Sequence, residues 1–305
     1  MGTPEFALPS LEALLESKHQ VVGVVTQPDK PKGRGRILSP SPVKEFALKK
    51  NLLVLTPEDL KADDFVEQLK GLNLDLIVVV AYRILPEKVF TIPPRGTINL
   101  HASLLPKYRG AAPINWALIN GEKRTGVTTF FIQKKVDTGN IILQKETEIL
   151  PDENYGELSQ RLSTLGAELL FETVDLIEKG KAIPLSQDES QVTQAPKITP
   201  EMCQIDWSWP AEKIRNFIRG LAPTPGAYTF FNGKILKIYK ALVLDQTHFD
   251  EGFGEIISAD KKDGFVAKTK SGRLKLSEVQ PESKKIMSGY EFLRGYRIYV
   301  GDKLG

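Results

Sequence analysis

The stretch from Leu74 to Val80 constrains this chain most, because every residue in it except Asp75 is apolar and it closes on Ile77-Val-Val-Val80. A short run so rich in β-branched residues reads as a strand buried on both faces, the place a strand takes in a parallel sheet covered by helices. Its neighbours fit that setting. Leu8, Leu11, Leu14 and Leu15 mark one face of an early helix, and Gln20 to Thr26 follows as a Val-rich strand. Leu52 to Leu55 reads as another strand. Thr56 followed by Pro57 predicts a helix start, a cap with proline at the first helical position. Thr97 to His101, Gly126 to Ile132 and Ile141 to Leu150 complete the strands. Leu158, Leu162, Leu165, Leu169 and Leu176 trace a long amphipathic helix. Strands separated by helices predict an α/β fold with a mostly parallel, doubly wound sheet, whose ligands sit beyond the carboxyl ends of the strands.

After Lys179 the periodicity fades. Residues 179–205 are polar and proline-spotted and read as a linker between a first domain at 1–178 and a second at 206–305. Trp209 to Leu221 reads as a helix. From Gly226 on, short strands alternate with turn residues. Phe231-Asn-Gly-Lys234 is a strong hairpin signal and Lys262-Asp-Gly264 a second. A small β-barrel is the expected outcome.

With 305 residues, two domains can each bury a core. No apolar run approaches the roughly 20 residues a membrane span needs. No basic segment followed by an apolar one opens the chain, and Phe6 stands where a myristoylation signal has Ser or Thr. The single cysteine, Cys203, excludes an intrachain disulfide and a cysteine metal site, so a reducing, cytoplasmic setting is expected. His19, His101 and His248 have no ligand-like spacing, and no metal is expected. The net charge is only +3, but from Asp206 onward 17 Lys and Arg stand against 12 Asp and Glu. The positive charge therefore sits in the last third, either as a phosphate-facing surface or as scattered solvated lysines.

Three features carry chemistry. Asn99 and His101, two apart on a strand, share a face at its carboxyl end, where such a sheet places its ligands. Asp137, before Thr138-Gly139, lies in a turn between two strands and reads either as a turn former or as a functional carboxylate. Together the three would supply an oxyanion donor, a proton acceptor and an orienting carboxylate. None is a nucleophile that must become covalently attached, which suits direct attack by a substrate amine on a carbonyl. Ser103 to Pro113 reads as an ordered loop forming a wall of that site. Asp29-Lys-Pro-Lys-Gly-Arg-Gly-Arg36 is a basic, glycine-bearing loop without the Gly-Lys-Ser/Thr of a P-loop, and it suits a phosphate backbone. Trp207 and Trp209 read as packing at a domain junction or as base-stacking groups.

The segments Gly2-Thr-Pro-Glu-Phe-Ala7, Thr26-Gln-Pro-Asp29, Gly33-Arg-Gly35, Ser39 to Lys44, Ile98 to Ile114, Gly126-Val-Thr128, Asp137-Thr-Gly139 and Ile205-Asp-Trp207 resemble the methionyl-tRNA formyltransferases, a family of folate-dependent formyltransferases, over nearly the whole chain. The resemblance implies a Rossmann-like first domain joined to an OB-like barrel that binds tRNA. It implies 10-formyltetrahydrofolate as co-substrate, its pterin near Ser103, Leu104, Leu105 and Pro106, and initiator methionyl-tRNA as acceptor. Carried over, His101 accepts the proton of the attacking amine, Asn99 stabilises the oxyanion and Asp137 orients His101 with its bound water. Arg34, flanked by Lys32 and Arg36, matches the loop expected to engage the tRNA acceptor end. A monomer is expected.

The sequence departs from that family twice. Family members carry a short apolar strand before Gly-Thr-Pro, whereas only Met1 precedes it here, so Met1 is expected to be an internal residue of that strand and the protein to start upstream. The family's Ala-Tyr-Gly before Ile-Leu-Pro reads Ala81-Tyr-Arg-Ile-Leu-Pro86 here, one glycine short. Two alternatives stay open: a folate-dependent formyltransferase acting on glycinamide ribonucleotide or an amino sugar, and a catalytically impaired RNA-binding relative.

Overall fold

The computed structural model describes residues 1–32, 37–260 and 264–305. In chain order the elements are α1 (Leu8–Leu15), β1 (Val24–Val25), β2 (Lys30–Lys32), β3 (Ile37–Ser39), α2 (Pro42–Lys49), β4 (Val54–Leu55), α3 (Asp63–Gly71), β5 (Ile77–Val80), α4 (Glu87–Phe90), β6 (Thr97–His101), β7 (Arg109–Gly110), α5 (Pro113–Ile119), β8 (Arg124–Phe131), β9 (Ile141–Glu148) and α6 (Tyr155–Glu178). Then come β10 (Gln194–Ala195), α7 (Ala211–Leu221), β11 (Ala227–Phe231), β12 (Lys234–His248), β13 (Ile256–Asp260), β14 (Gly264–Lys268), β15 (Ser271–Pro281), β16 (Met287–Ser288) and α8 (Gly289–Gly295). The chain divides into two compact units. One comprises Met1–Pro113, Arg124–Glu148 and Ser159–Ala195; the other comprises Ile114–Lys123, Ile149–Leu158 and Pro196–Gly305.

In the first unit β5 lies parallel to β6, and β8 and β9 continue the sheet antiparallel. A parallel pair, β1 with β4, lies beside it. Met1 and Gly2 join the two, because the Gly2 amide donates to Val25 and the Val80 amide donates to Met1. The sheet expected to be mostly parallel is thus mixed. Its parallel part is there, but β8 runs antiparallel to β6, and β9, joined to β8 by a short turn with no crossover helix, can only pair antiparallel with it. Ile77, Val79 and Val89 are buried with Phe65, Val66 and Leu69 of α3, so the Leu74–Val80 run is a core strand as its composition demands.

The helix expected from Thr56 begins at Asp63 instead. The carbonyls of Pro57 and Glu58, which a helix there would use in its own turns, accept from the Arg83 guanidinium at 2.6 and 2.8 Å. Lys30 to Lys32 pairs with Ile37 to Ser39, but Arg34 and Arg36 lie outside the described residues.

The second unit is built on an antiparallel sheet in the order β11-β12-β15-β14-β13, with β16 beside β15. Asn232 and Gly233 both take positive φ, +49° and +73°, which is the mirror-image turn an Asn-Gly hairpin calls for. The Lys262-Asp263 part of the second hairpin signal lies outside the described residues, although its flanks pair at Asp260 and Gly264. β12 is bulged repeatedly against β15, which bends a long strand, yet among the described residues β11 and β13 do not pair. The expected OB-like barrel is therefore seen as a bent open sheet rather than a closed barrel. Ile214, Ile218 and Leu221 of α7 line one helical stripe and bury against Ile238, Phe265, Leu274, Leu276 and Phe292. Trp207 belongs to this core, its indole N–H donating to Thr229 Oγ1 at 3.0 Å, and Trp209 packs edge-on to Phe217. Among the described residues no helix is long and apolar enough to cross a membrane.

Candidate active site

The site grows from β6. Its alternate residues Ile98 and Leu100 are buried on one face, where Leu100 packs so closely on α6 that a Cβ added at Gly166 would lie 2.7 Å from it. That apolar anchor turns Asn99 and His101 to the opposite face, at the carboxyl end of the strand. Asn99 is half-buried, and its side-chain amide has no hydrogen-bond partner among the described residues. It remains a donor available to a ligand.

His101 is only 6% exposed. Its Nε2 lies 2.8 Å from the Tyr108 carbonyl oxygen. A carbonyl can only accept, so Nε2 carries the ring proton and Nδ1 of the neutral ring holds a free lone pair. Nδ1 faces Asp137 Oδ2 at 3.8 Å. That distance exceeds a direct hydrogen bond, and two acceptors face each other until Nδ1 takes up a proton. The ring then becomes a cation beside a carboxylate. This is a base whose protonated form has its counter-charge already in place.

Asp137 sits in the left-handed region at φ +54°, which aspartate tolerates better than most residues. Its Oδ2 accepts from the Gly110 amide at 2.8 Å. Two residues on, Gly139 is forced by space, since an added Cβ would fall 1.6 Å from the Phe131 carbonyl oxygen. The Asp-Thr-Gly turn is thus locked against β8.

Ser103 to Pro106 forms the adjacent wall. Thr128 Oγ1 donates to the Ser103 carbonyl at 2.6 Å, and Gln144 donates to the Leu105 carbonyl at 2.8 Å. Ser103 itself is fully buried, its hydroxyl donating to the Lys107 carbonyl at 2.7 Å. Leu104 rests where Gly126 has no side chain. The Ser103 hydroxyl and the carbonyls of Ser103 and Leu105 are thus engaged within the protein, while half-buried Leu104 and Pro106 offer an apolar surface.

Tyr108 and Arg109 of the same loop meet residues from later in the chain that the sequence did not single out. β10 runs parallel to β7, and Thr193 Oγ1 accepts from the Tyr108 amide at 2.8 Å while Tyr108 holds φ +61°. Arg109 is 5% exposed. It donates to Gln187 Oε1 at 2.7 and 3.0 Å and grips both oxygens of Glu189 at 2.8 and 3.2 Å. The guanidinium holds the Glu189 carboxyl below its ordinary range. Gln187 Nε2 donates to the carbonyls of Asp137 and Gly139 at 2.9 and 2.8 Å. No sequence signal marks Gln187 or Thr193, because a polar stretch between domains reads as a connection. Among the described residues no group of His, Cys, Asp and Glu is arranged to hold a metal ion.

The model of the formyl transferase family matches residues 1–174, and that of the formyl transferase C-terminal domain matches residues 197–297. The chain belongs to the formyl transferase family. A relative named methionyl-tRNA formyltransferase from Caldanaerobacter subterraneus subsp. tengcongensis is 50% identical over 304 residues, 99% of this chain and 97% of its own. Another of that name from Dictyoglomus thermophilum is 49% identical over 306 residues, again 99% and 97%. A solved structure of a sugar 3N-formyl transferase, in the presence of dTDP and 5-N-formyl-THF, has a TM-score of 0.65 and 20% identity, covering 93% of this chain and 97% of that one. At that identity the likeness speaks for the fold. Gln187 to Ala195 falls between the two matched formyl transferase segments.

Proposed function

We propose that this chain transfers the formyl group of 10-formyltetrahydrofolate to the amino group of methionine on initiator methionyl-tRNA. The observation that carries the reading is identity of about half the residues, over 99% of the chain, with relatives that bear this enzyme's name. The site fits that chemistry. The co-substrate supplies an activated formyl carbonyl. The Asn99 amide, which has no partner among the described residues, is the donor for negative charge developing on the formyl oxygen, and preorganised donors of this kind are worth about 10²–10³-fold in rate. His101 takes a proton from the attacking amine at Nδ1 and returns it to the departing folate nitrogen, as the new N–C bond forms and the old one breaks. Asp137 stabilises the imidazolium and orients the ring and its water. Leu104 and Pro106, beside Ser103 and Leu105, suit the flat face of a pterin.

Residues 1–178 act as the catalytic, Rossmann-like domain and 206–305 as an OB-like domain for tRNA, with 179–205 joining them. Lys32, Arg34 and Arg36 engage the acceptor end, and the protein works as a monomer in the cytoplasm. The excess of Lys and Arg after Asp206 supports a phosphate-facing role for that part. The test is formyl transfer from 10-formyltetrahydrofolate to methionyl initiator tRNA, with uncharged and elongator tRNAs as controls. Transfer that prefers the charged initiator and vanishes in His101→Ala is the expected result. Transfer only to glycinamide ribonucleotide or an amino sugar, or RNA binding without transfer, would overturn it.

A further inference from the structure

We infer that Gln187 is a positioning residue for this reaction, holding the Asp137 turn at the distance from His101 at which the carboxylate stabilises the protonated ring. The inference rests on the proposed function for the reaction, but its structural basis is independent. Four links close a ring around Asp137. The Gly110 amide donates to the Asp137 carboxylate. Gly110 follows Arg109 in the chain, and the Arg109 guanidinium donates twice to Gln187 Oε1. Gln187 Nε2 returns to the Asp137 main-chain carbonyl and reaches the Gly139 carbonyl as well. Both ends of the Gln187 carboxamide are thereby fully engaged, two hydrogens donated and two accepted. Asp137 cannot move relative to Gly110 without breaking this ring, and Gly110 belongs to the segment whose Tyr108 carbonyl fixes the His101 tautomer. The His101–Asp137 gap of 3.8 Å therefore has a side chain 50 residues away as one of its determinants.

Two substitutions separate positioning from packing. Gln187→Ala removes the whole carboxamide. Gln187→Glu keeps the shape and an oxygen for Arg109 but cannot, when ionised, donate to the two carbonyls. Both are expected to lower kcat for formyl transfer by about 10- to 100-fold with KM changed less than about threefold, the scale at which small misplacements act on catalysis. A second readout needs no activity: the NMR chemical shifts of the His101 ring nitrogens, assigned with His101→Ala among only three histidines. These shifts should change in both variants, because the Asp137 turn loses the two donors that hold it beside the ring. Wild-type kcat in Gln187→Glu, unchanged His101 ring shifts, or an effect on KM alone would overturn the inference. If Gln187→Ala does not fold, Gln187→Glu decides. If the wild type transfers no formyl group, the functional reading fails, and the His101 ring shifts still decide whether Gln187 holds the Asp137 turn beside His101.

Discussion

The Gly110 amide and the Asp137 carboxylate, 27 residues apart in the chain, meet at 2.8 Å, and the oxygen that accepts from Gly110 is the one that faces His101 Nδ1. A backbone donor aimed at one carboxylate oxygen fixes the direction in which that carboxylate points. Asp137→Asn keeps an acceptor for Gly110 but removes the charge that balances a protonated His101. The expected loss in kcat is about 10²–10⁴-fold, with KM little changed. Adding His101→Ala to it should cost far less than the product of the two single effects, because the residues act as a unit. Single-turnover rates on the four proteins check both statements.

Asn99 offers a donor that no described residue uses, so its removal should leave folding intact. Asn99→Asp, which sets a negative charge where another develops, is expected to slow transfer by at least about 10²-fold. Thermal melts should coincide with the wild type. A melt lowered by several degrees would mean that the amide has a structural role.

Gly139→Ala asks for a methyl group at 1.6 Å from the Phe131 carbonyl oxygen, so Phe131 would have to shift out of its register with Ile98 of β6. Overpacking of this kind costs about 1–3 kcal/mol or more. Denaturant unfolding should show the loss, together with reduced activity from a displaced Asp137.

Much of this site was legible in the sequence and some of it was not, for a physical reason. Period-two alternation placed Asn99 and His101 on one face of a strand, and the Ile77–Val80 run set that strand beside a core strand. Asp137 was legible as a turn residue, but its approach to His101 is tertiary and left no mark in spacing. The segment from Lys179 to Ile205 looked like a connection because its groups find partners in Tyr108, Arg109 and Asp137 rather than in any periodic neighbour. The helix expected at Thr56 failed in the same way, its carbonyls claimed by the distant Arg83.

Glu189 tests how much of the Arg109 network matters. It is 72% exposed and its carboxyl is held low by Arg109, so the stabilisation it gives is present above the ordinary carboxylate range and is lost as pH falls through the lowered value. Solvent screening keeps the effect small. Glu189→Gln should melt slightly below the wild type near neutral pH and converge with it in acid, with kcat within about twofold because Arg109 keeps Gln187. Melts recorded across that pH range in low salt are the measurement.

In the second unit Phe292 is buried, stacks on Tyr296 at 4.5 Å between centroids and lies 5.3 Å from Phe265. Phe292→Ala should cost about 3–5 kcal/mol, the scale for emptying an aromatic site in a packed core. Urea unfolding followed by tryptophan fluorescence reads it, since Trp207 lies in the same core.

Membership of the two units alternates along the chain, with Ile114–Lys123 and Ile149–Leu158 assigned to the second although both precede most of α6. The Arg219 guanidinium of α7, for instance, donates to the Glu153 carbonyl within that second unit. No single cleavage of the polypeptide releases either unit whole. A recombination event that exchanged only the stretch after Pro196 would split the second unit, leaving Ile114–Lys123 and Ile149–Leu158 behind with their former partners.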